Sequence, residues 1–129
     1  MSVHKSGYSS LAKGLLISCS ILLLAACVNN TAADYAKAGD WTSVGYSDGI
    51  KGKQNRTASQ LKKLGSVNIN DYADGYLKGN KEYCNPKHAY QIGISGNYYE
   101  GVCEGTPDAQ KFRMEWQRGW SDSKLDGSN

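Results

Sequence analysis

Five carboxylates lie where an acid–base pair could be assembled: Asp48, Asp74, Glu82, Glu100 and Asp122. Cleaving a glycan with acidic residues alone takes two of them, about 5–10 Å apart, one to protonate the leaving oxygen and one to attack or to activate water. A hydrolase of another kind needs a nucleophile, a base and an oxyanion site. His88, in a Pro86-Lys-His-Ala89 turn, is the single histidine after residue 27, and no Gly-x-Ser-x-Gly elbow accompanies it. No residue is therefore assigned a catalytic role. Acids on helices ordinarily pair with neighbouring cations, here Arg113 and Arg118. Asp48 and Asp122 stand apart because each follows Gly-aromatic-Ser, in Gly45-Tyr-Ser-Asp48 and Gly119-Trp-Ser-Asp122. The expected role of both is to bond a backbone or hydroxyl group at a helix crossing.

Cysteine chemistry says more. Lys5 and Lys13 precede an apolar run, Leu15 to Leu24, which ends in Leu24-Ala-Ala-Cys27. This is the layout of a bacterial lipoprotein signal, with small residues before the cut and a thiol after it to take the lipid. The run is too short to span about 30 Å of hydrocarbon. Residues 1–26 are thus expected to be a signal peptide, and Cys27 the lipid attachment site; Cys19 leaves with the signal. Residue 28 is Val rather than Asp, which favours the outer membrane of a Gram-negative cell over the inner. Two cysteines then remain, Cys84 and Cys103, in a compartment that oxidises thiols. A disulfide between them is expected, and with His88 as sole companion they make a poor zinc site. No metal or cofactor is expected.

The chain from Cys27 onward carries thirteen Lys and Arg against twelve Asp and Glu, a formal charge of +1. No basic run exceeds Lys62-Lys63, so the electrostatic footprint of a nucleic-acid binder is missing. Aliphatic residues are scarce, whereas the same stretch has eight Tyr, three Trp and one Phe. Its core must be rings packed on glycine, with a covalent staple to help.

Helices must position all of this. Residues 27–38 read as a polar tether and 39–129 as one small domain. Asp40 is an expected N-cap, and Trp41, Val44, Gly45, Asp48 and Gly52 share one helical face. Thr57 and Gln60 fit a capping box for a short second helix, with Gly65 at its C′ position. Asn70 is the expected cap of a third, and Thr106-Pro107 opens a fourth. Three helices repeat a pattern of glycine with an aromatic upstream: Trp41 with Gly45, Tyr72 with Gly75, and Trp116 with Gly119. A helical glycine costs about 1 kcal/mol relative to alanine, so the repeat predicts notches that receive a ring from a neighbouring helix. Its alternative role is a binding surface. Between the cysteines, glycines at 93, 96 and 101 read as turns, leaving a short hairpin or an ordered loop open. The fold class expected is mainly α: about four helices and a Gly/Tyr-rich segment closed by one disulfide.

The ordered set Trp41-x₃-Gly45-Tyr46-x-Asp48-Gly49, Tyr72-x₂-Gly75-Tyr76-x₂-Gly79, Tyr83-Cys84, Gly93-x₂-Gly96, Gly101-Val-Cys103 and Phe112-x₃-Trp116-x₂-Gly119 resembles a family of small Gram-negative lipoproteins, the domain of unknown function DUF2799. The resemblance implies an envelope lipoprotein and carries no activity or ligand. Two function classes follow for the chain. One is a structural or binding module, held to the membrane by acylated Cys27, that docks on an envelope protein or on cell-wall glycan. The other is a carboxylate-dependent enzyme acting on peptidoglycan or a surface glycan.

Overall fold

The computed structural model describes residues 30–126. Six helices and no strand occur among them: α1 (Ala32–Lys37), α2 (Trp41–Ile50), α3 (Ala58–Lys62), α4 (Ile69–Tyr83), α5 (Pro86–Ile94) and α6 (Ala109–Asp126). Short polar side chains set most of the starts. Thr31 with Asp34 and Thr57 with Gln60 form reciprocal capping boxes, and Asp40 accepts from the Ser43 amide at 3.0 Å. The cap of α4 is Asn68 rather than Asn70, because the Asn68 side chain reaches the amides of both Asn70 and Asp71. Two expectations about length also change. Residues 32–37 are helical and bury Ala36 against Trp41 and Val44, so the tether expected over 27–38 gives way to structure at Thr31. The fourth expected helix starts later, at Ala109, after turns that carry the chain from Cys103 through Thr106.

The segment between the cysteines is neither hairpin nor plain loop. Asn85 accepts from the Lys87 amide and Pro86 takes the first helical position, which starts α5 immediately after α4 ends. Gly93, read as a turn, lies inside that helix.

Two helix pairs make up the fold: α2 crosses α4, and α5 crosses α6. Each pair has its own core. Trp41, Val44, Leu61, Tyr72 and Tyr76 fill the first, with Ala36 at its edge. Tyr83, Ala89, Tyr99, Phe112 and both cysteines fill the second. The Cys84–Cys103 disulfide spans 5.4 Å between Cα atoms and fastens the end of α4 to the loop that leads into α6. Tyr83 locks the two halves together. Its ring occupies the place where a side chain on Gly52 would stand, at a positive φ of 65° that only glycine adopts without strain. Asn80 adds a bond to the Val102 carbonyl at 3.2 Å, and Gln54 one to the Glu100 carbonyl at 2.6 Å.

At Gly45, Gly75 and Gly119, by contrast, the notch receives backbone and not a ring. A Cβ on Gly45 would collide with the Tyr72 carbonyl and stand 2.7 Å from the Tyr76 amide nitrogen. One on Gly75 would collide with the Thr42 carbonyl in return. Gly49 and Gly79 face each other in the same way one turn further on. At such crossings the carbonyl of one helix meets the Cα–H groups of the other, a weak hydrogen bond that recurs where helices touch. Trp41, Tyr72 and Tyr76 are buried together in the core of the first pair.

Candidate functional site

The repeated string turns out to build the same junction twice. In the first pair, Gly45 of α2 lies on the Tyr72 carbonyl, while Tyr72 Oη donates to Asp48 Oδ2 at 3.2 Å. In the second, Gly119 of α6 lies on the Tyr90 carbonyl, while Tyr90 Oη donates to Asp122 Oδ2 at 3.0 Å. The partner string is Tyr-x-x-Gly in both, Tyr72 to Gly75 and Tyr90 to Gly93, and Gly93 packs on the Trp116 carbonyl as Gly75 does on that of Thr42. The order along the chain is reversed: Gly-aromatic-Ser-Asp comes first in one pair and second in the other. Asp48 and Asp122 thus each bond a hydroxyl group at a helix crossing, the role expected of them.

Asp48 is 1% exposed and carries the heavier load. Arg56 grips it with two bonds, Nε to Oδ2 at 2.6 Å and Nη2 to Oδ1 at 3.0 Å. The Arg56 amide in turn donates to Tyr72 Oη at 3.0 Å, which closes the circuit. Bonding to Asp48 pushes the Arg56 guanidinium above its usual range. The partner for this acid comes from the loop before α3; Arg113 and Arg118 bind Glu104 and Glu115 instead. Trp41 closes the other end of the first core and donates from Nε1 to the Ser66 carbonyl at 2.8 Å. Among the expected repeat, then, Trp41, Gly45, Asp48, Tyr72 and Gly75 come together in one crossing, and Gly119 and Asp122 form its counterpart.

Trp116 does something different. On α6 it stacks on Trp120, centroids 5.4 Å apart, and its Nε1 donates to the Asn97 carbonyl at 3.0 Å. Tyr98 lies nearly perpendicular to both indoles, centroids 6.3 and 6.4 Å away, yet stays 73% exposed. This ring lines an open cleft of about 580 Å³ between the helix pairs. Lys51 comes to the cleft from the end of α2, Glu82 from α4 and His88 from α5; Asn97, Tyr98 and Glu100 come from the loop. Glu82 accepts from Tyr46 Oη at 2.8 Å, and this bond raises the Tyr46 hydroxyl above its ordinary pKa. Glu82 and Glu100 are the two expected carboxylates that share a cleft; Asp74 lies exposed elsewhere on α4. No group of three or more His, Cys, Asp or Glu suited to a metal occurs among the described residues.

A family model described as protein of unknown function (DUF2799) matches residues 40–121. The chain belongs to that family. Its match starts at the Asp40 cap and ends within α6, so it covers the first helix pair, α5, most of α6, the cleft and the disulfide. No curated protein and no solved structure matches the chain. Cys27 lies outside the described residues.

Sequence reading overlooked the cleft because its residues are scattered over four segments and share no spacing. The one available signal was Asn85-Pro86, a cap followed by proline, which places His88 on a helix beside Glu82. The buried tyrosines give the DUF2799 domain an alkaline limit. Burial pushes Tyr72 and Tyr83 from an ordinary 10.0 up to about 12. A raised folded-state pKa means stability that is complete below pH 10 and is lost as pH climbs to about 12, because the unfolded chain ionises first. Tyr83→Phe is expected to flatten that decline while changing stability at pH 7 little; urea midpoints measured between pH 8 and 12 check it, and an unchanged slope contradicts it.

Proposed function

We propose that this DUF2799 chain is a lipid-anchored binding module of the bacterial cell envelope, tethered to the outer membrane through Cys27, with the Tyr98 cleft as its contact surface. One observation carries the reading: an exposed aromatic ring, set against two indoles, lines a cleft of mixed polar and apolar character to which both helix pairs contribute. Rigid aromatic contact area with adaptable polar neighbours is what recognition surfaces use. The glycine crossings and the Asp48 circuit supply the frame that holds it.

Two measurements test the parts. Cys27→Ala is expected to give an unprocessed precursor that takes up no radioactive palmitate, and label persisting in the variant removes the anchor. A photoactivatable amino acid at position 98 is expected to trap an envelope component in intact cells. Silence there, with the same group active at exposed Leu77, removes the cleft as the contact surface.

A second reading, an enzyme acting on peptidoglycan or a surface glycan, is favoured by one feature: Glu82 and Glu100 line the same cleft. Release of reducing ends from such a glycan, lost in Glu100→Gln, decides for it.

A further inference from the structure

We infer that the Tyr98 cleft binds an uncharged stretch of oligosaccharide, an assignment that rests on the binding-module reading and names its ligand class. Three features of the cleft lead there.

Its size, about 580 Å³, lies in the range of small-ligand sites, roughly 300–1,000 Å³.

Its charge carries no single sign. Glu82, Glu100 and Lys51 all line the cleft, together with Asn97, His88 and the apolar side chain of Ile92. A nucleotide would call for a cationic lining and a basic peptide for an anionic one. A polyhydroxyl ligand calls for this mixture, because carboxylates and amide oxygens accept from its hydroxyls while the ammonium and amide N–H groups donate to them.

The third feature is Tyr98 itself. A pyranose presents one face of C–H bonds, and an exposed ring is its natural platform. Tyr98 keeps 73% of its surface open while lying nearly perpendicular to Trp116 and Trp120. The loop beneath is fixed at both ends, by the Trp116 bond to the Asn97 carbonyl at 3.0 Å and by the Gln54 bond to the Glu100 carbonyl at 2.6 Å. The platform is therefore ordered before any ligand arrives, which spares the entropy of arranging it on binding.

The test uses the full chain in detergent micelles, with the tryptophan fluorescence of the neighbouring Trp116 and Trp120 as reporter. One titration adds an N-acetylglucosamine oligomer, the uncharged chemistry of a peptidoglycan strand; a parallel one adds a neutral hexose oligomer of the kind found in the outer core of lipopolysaccharide. Saturable binding is expected with at least one probe, and the tighter probe identifies the source. Tyr98→Ala should weaken that binding at least tenfold, whereas Tyr98→Phe should stay within twofold. Circular dichroism confirms that each variant is folded, which an exposed side chain permits. No saturation with either probe overturns the inference, and so does an alanine variant that binds like the parent chain. Capture of a protein from position 98 in cells, without sugar binding, removes the oligosaccharide and leaves the module. Hydrolysis of a bound probe upholds the ligand class and overturns the module in favour of the enzyme.

Discussion

Gly75→Ala is expected to destabilise the domain and Gly75→Leu to prevent it from folding, although both substitutions raise helix propensity. Glycine to alanine in an exposed helix interior stabilises by about 1 kcal/mol. Here the added Cβ falls on the Thr42 carbonyl, and the Thr42 Cα stands only 3.0 Å from it. Backbone cannot rotate away as a side chain can, so α2 and α4 must separate. Overpacking of this sort typically costs about 1–3 kcal/mol and occasionally more. Separation also pulls Gly45 off the Tyr72 carbonyl and stretches the Tyr72–Asp48 bond, so the two losses are coupled. Lys78→Ala, on the exposed side of the same helix, is the control. Thermal melts of the three variants decide the matter. An alanine variant as stable as the parent chain would show that the helices have room to spare, and the crossing would lose its claim to hold the fold.

Removing the disulfide is expected to have the second-largest effect. Cys84 and Cys103 are separated by 19 positions, and closing a loop of that order contributes about 3 kcal/mol in the chain-entropy account. Both cysteines belong to the second core, where Cys103 is fully buried. A Cys84→Ala, Cys103→Ala double variant therefore also loses packing around Phe112 and Tyr83. The total expected is about 2–5 kcal/mol, a large share of the 5–15 typical of a whole domain. Urea unfolding of the double variant, beside the parent chain with and without reductant, measures it. The α5–α6 pair should melt first, visible as early loss of the Trp116–Trp120 signal. If reductant leaves the unfolding midpoint in place, the bond is incidental to stability.

Much of this architecture could be read before any coordinates. Caps announce themselves by chemistry within four residues, so Asp40 and the Thr57–Gln60 box stand where they were expected. Gly45-Tyr-Ser-Asp48 and Gly119-Trp-Ser-Asp122 were legible as a repeat because the string is contiguous. The complementary Tyr-x-x-Gly was not, since Tyr90-x-x-Gly93 sits amid glycines and tyrosines that suggest turns. A single sequence also says nothing about what a helical glycine will meet. A ring and a carbonyl both call for the same missing Cβ, and only the crossing angle chooses between them. The cleft was least visible of all. Tyr98 is one of two adjacent tyrosines, and nothing local separates it from Tyr99, which turns inward to accept from the Cys103 amide at 3.0 Å.

The Thr31–Asp34 capping box at the start of α1 also acts as a ruler. Thr31 follows Cys27 by four peptide units, and an extended chain covers at most about 3.6 Å per residue. If Cys27 carries the lipid, the leash measures no more than about 14 Å, and the domain grazes the headgroups instead of reaching across the periplasm. Its search is then two-dimensional. Whatever the cleft holds must be planted in the same membrane or brought to within one domain diameter of it. Confinement of this kind gives a partner on the same surface a local concentration on the order of millimolar. A site with only millimolar affinity would then be about half filled, and the short leash would do the work that tight binding does for a freely diffusing protein.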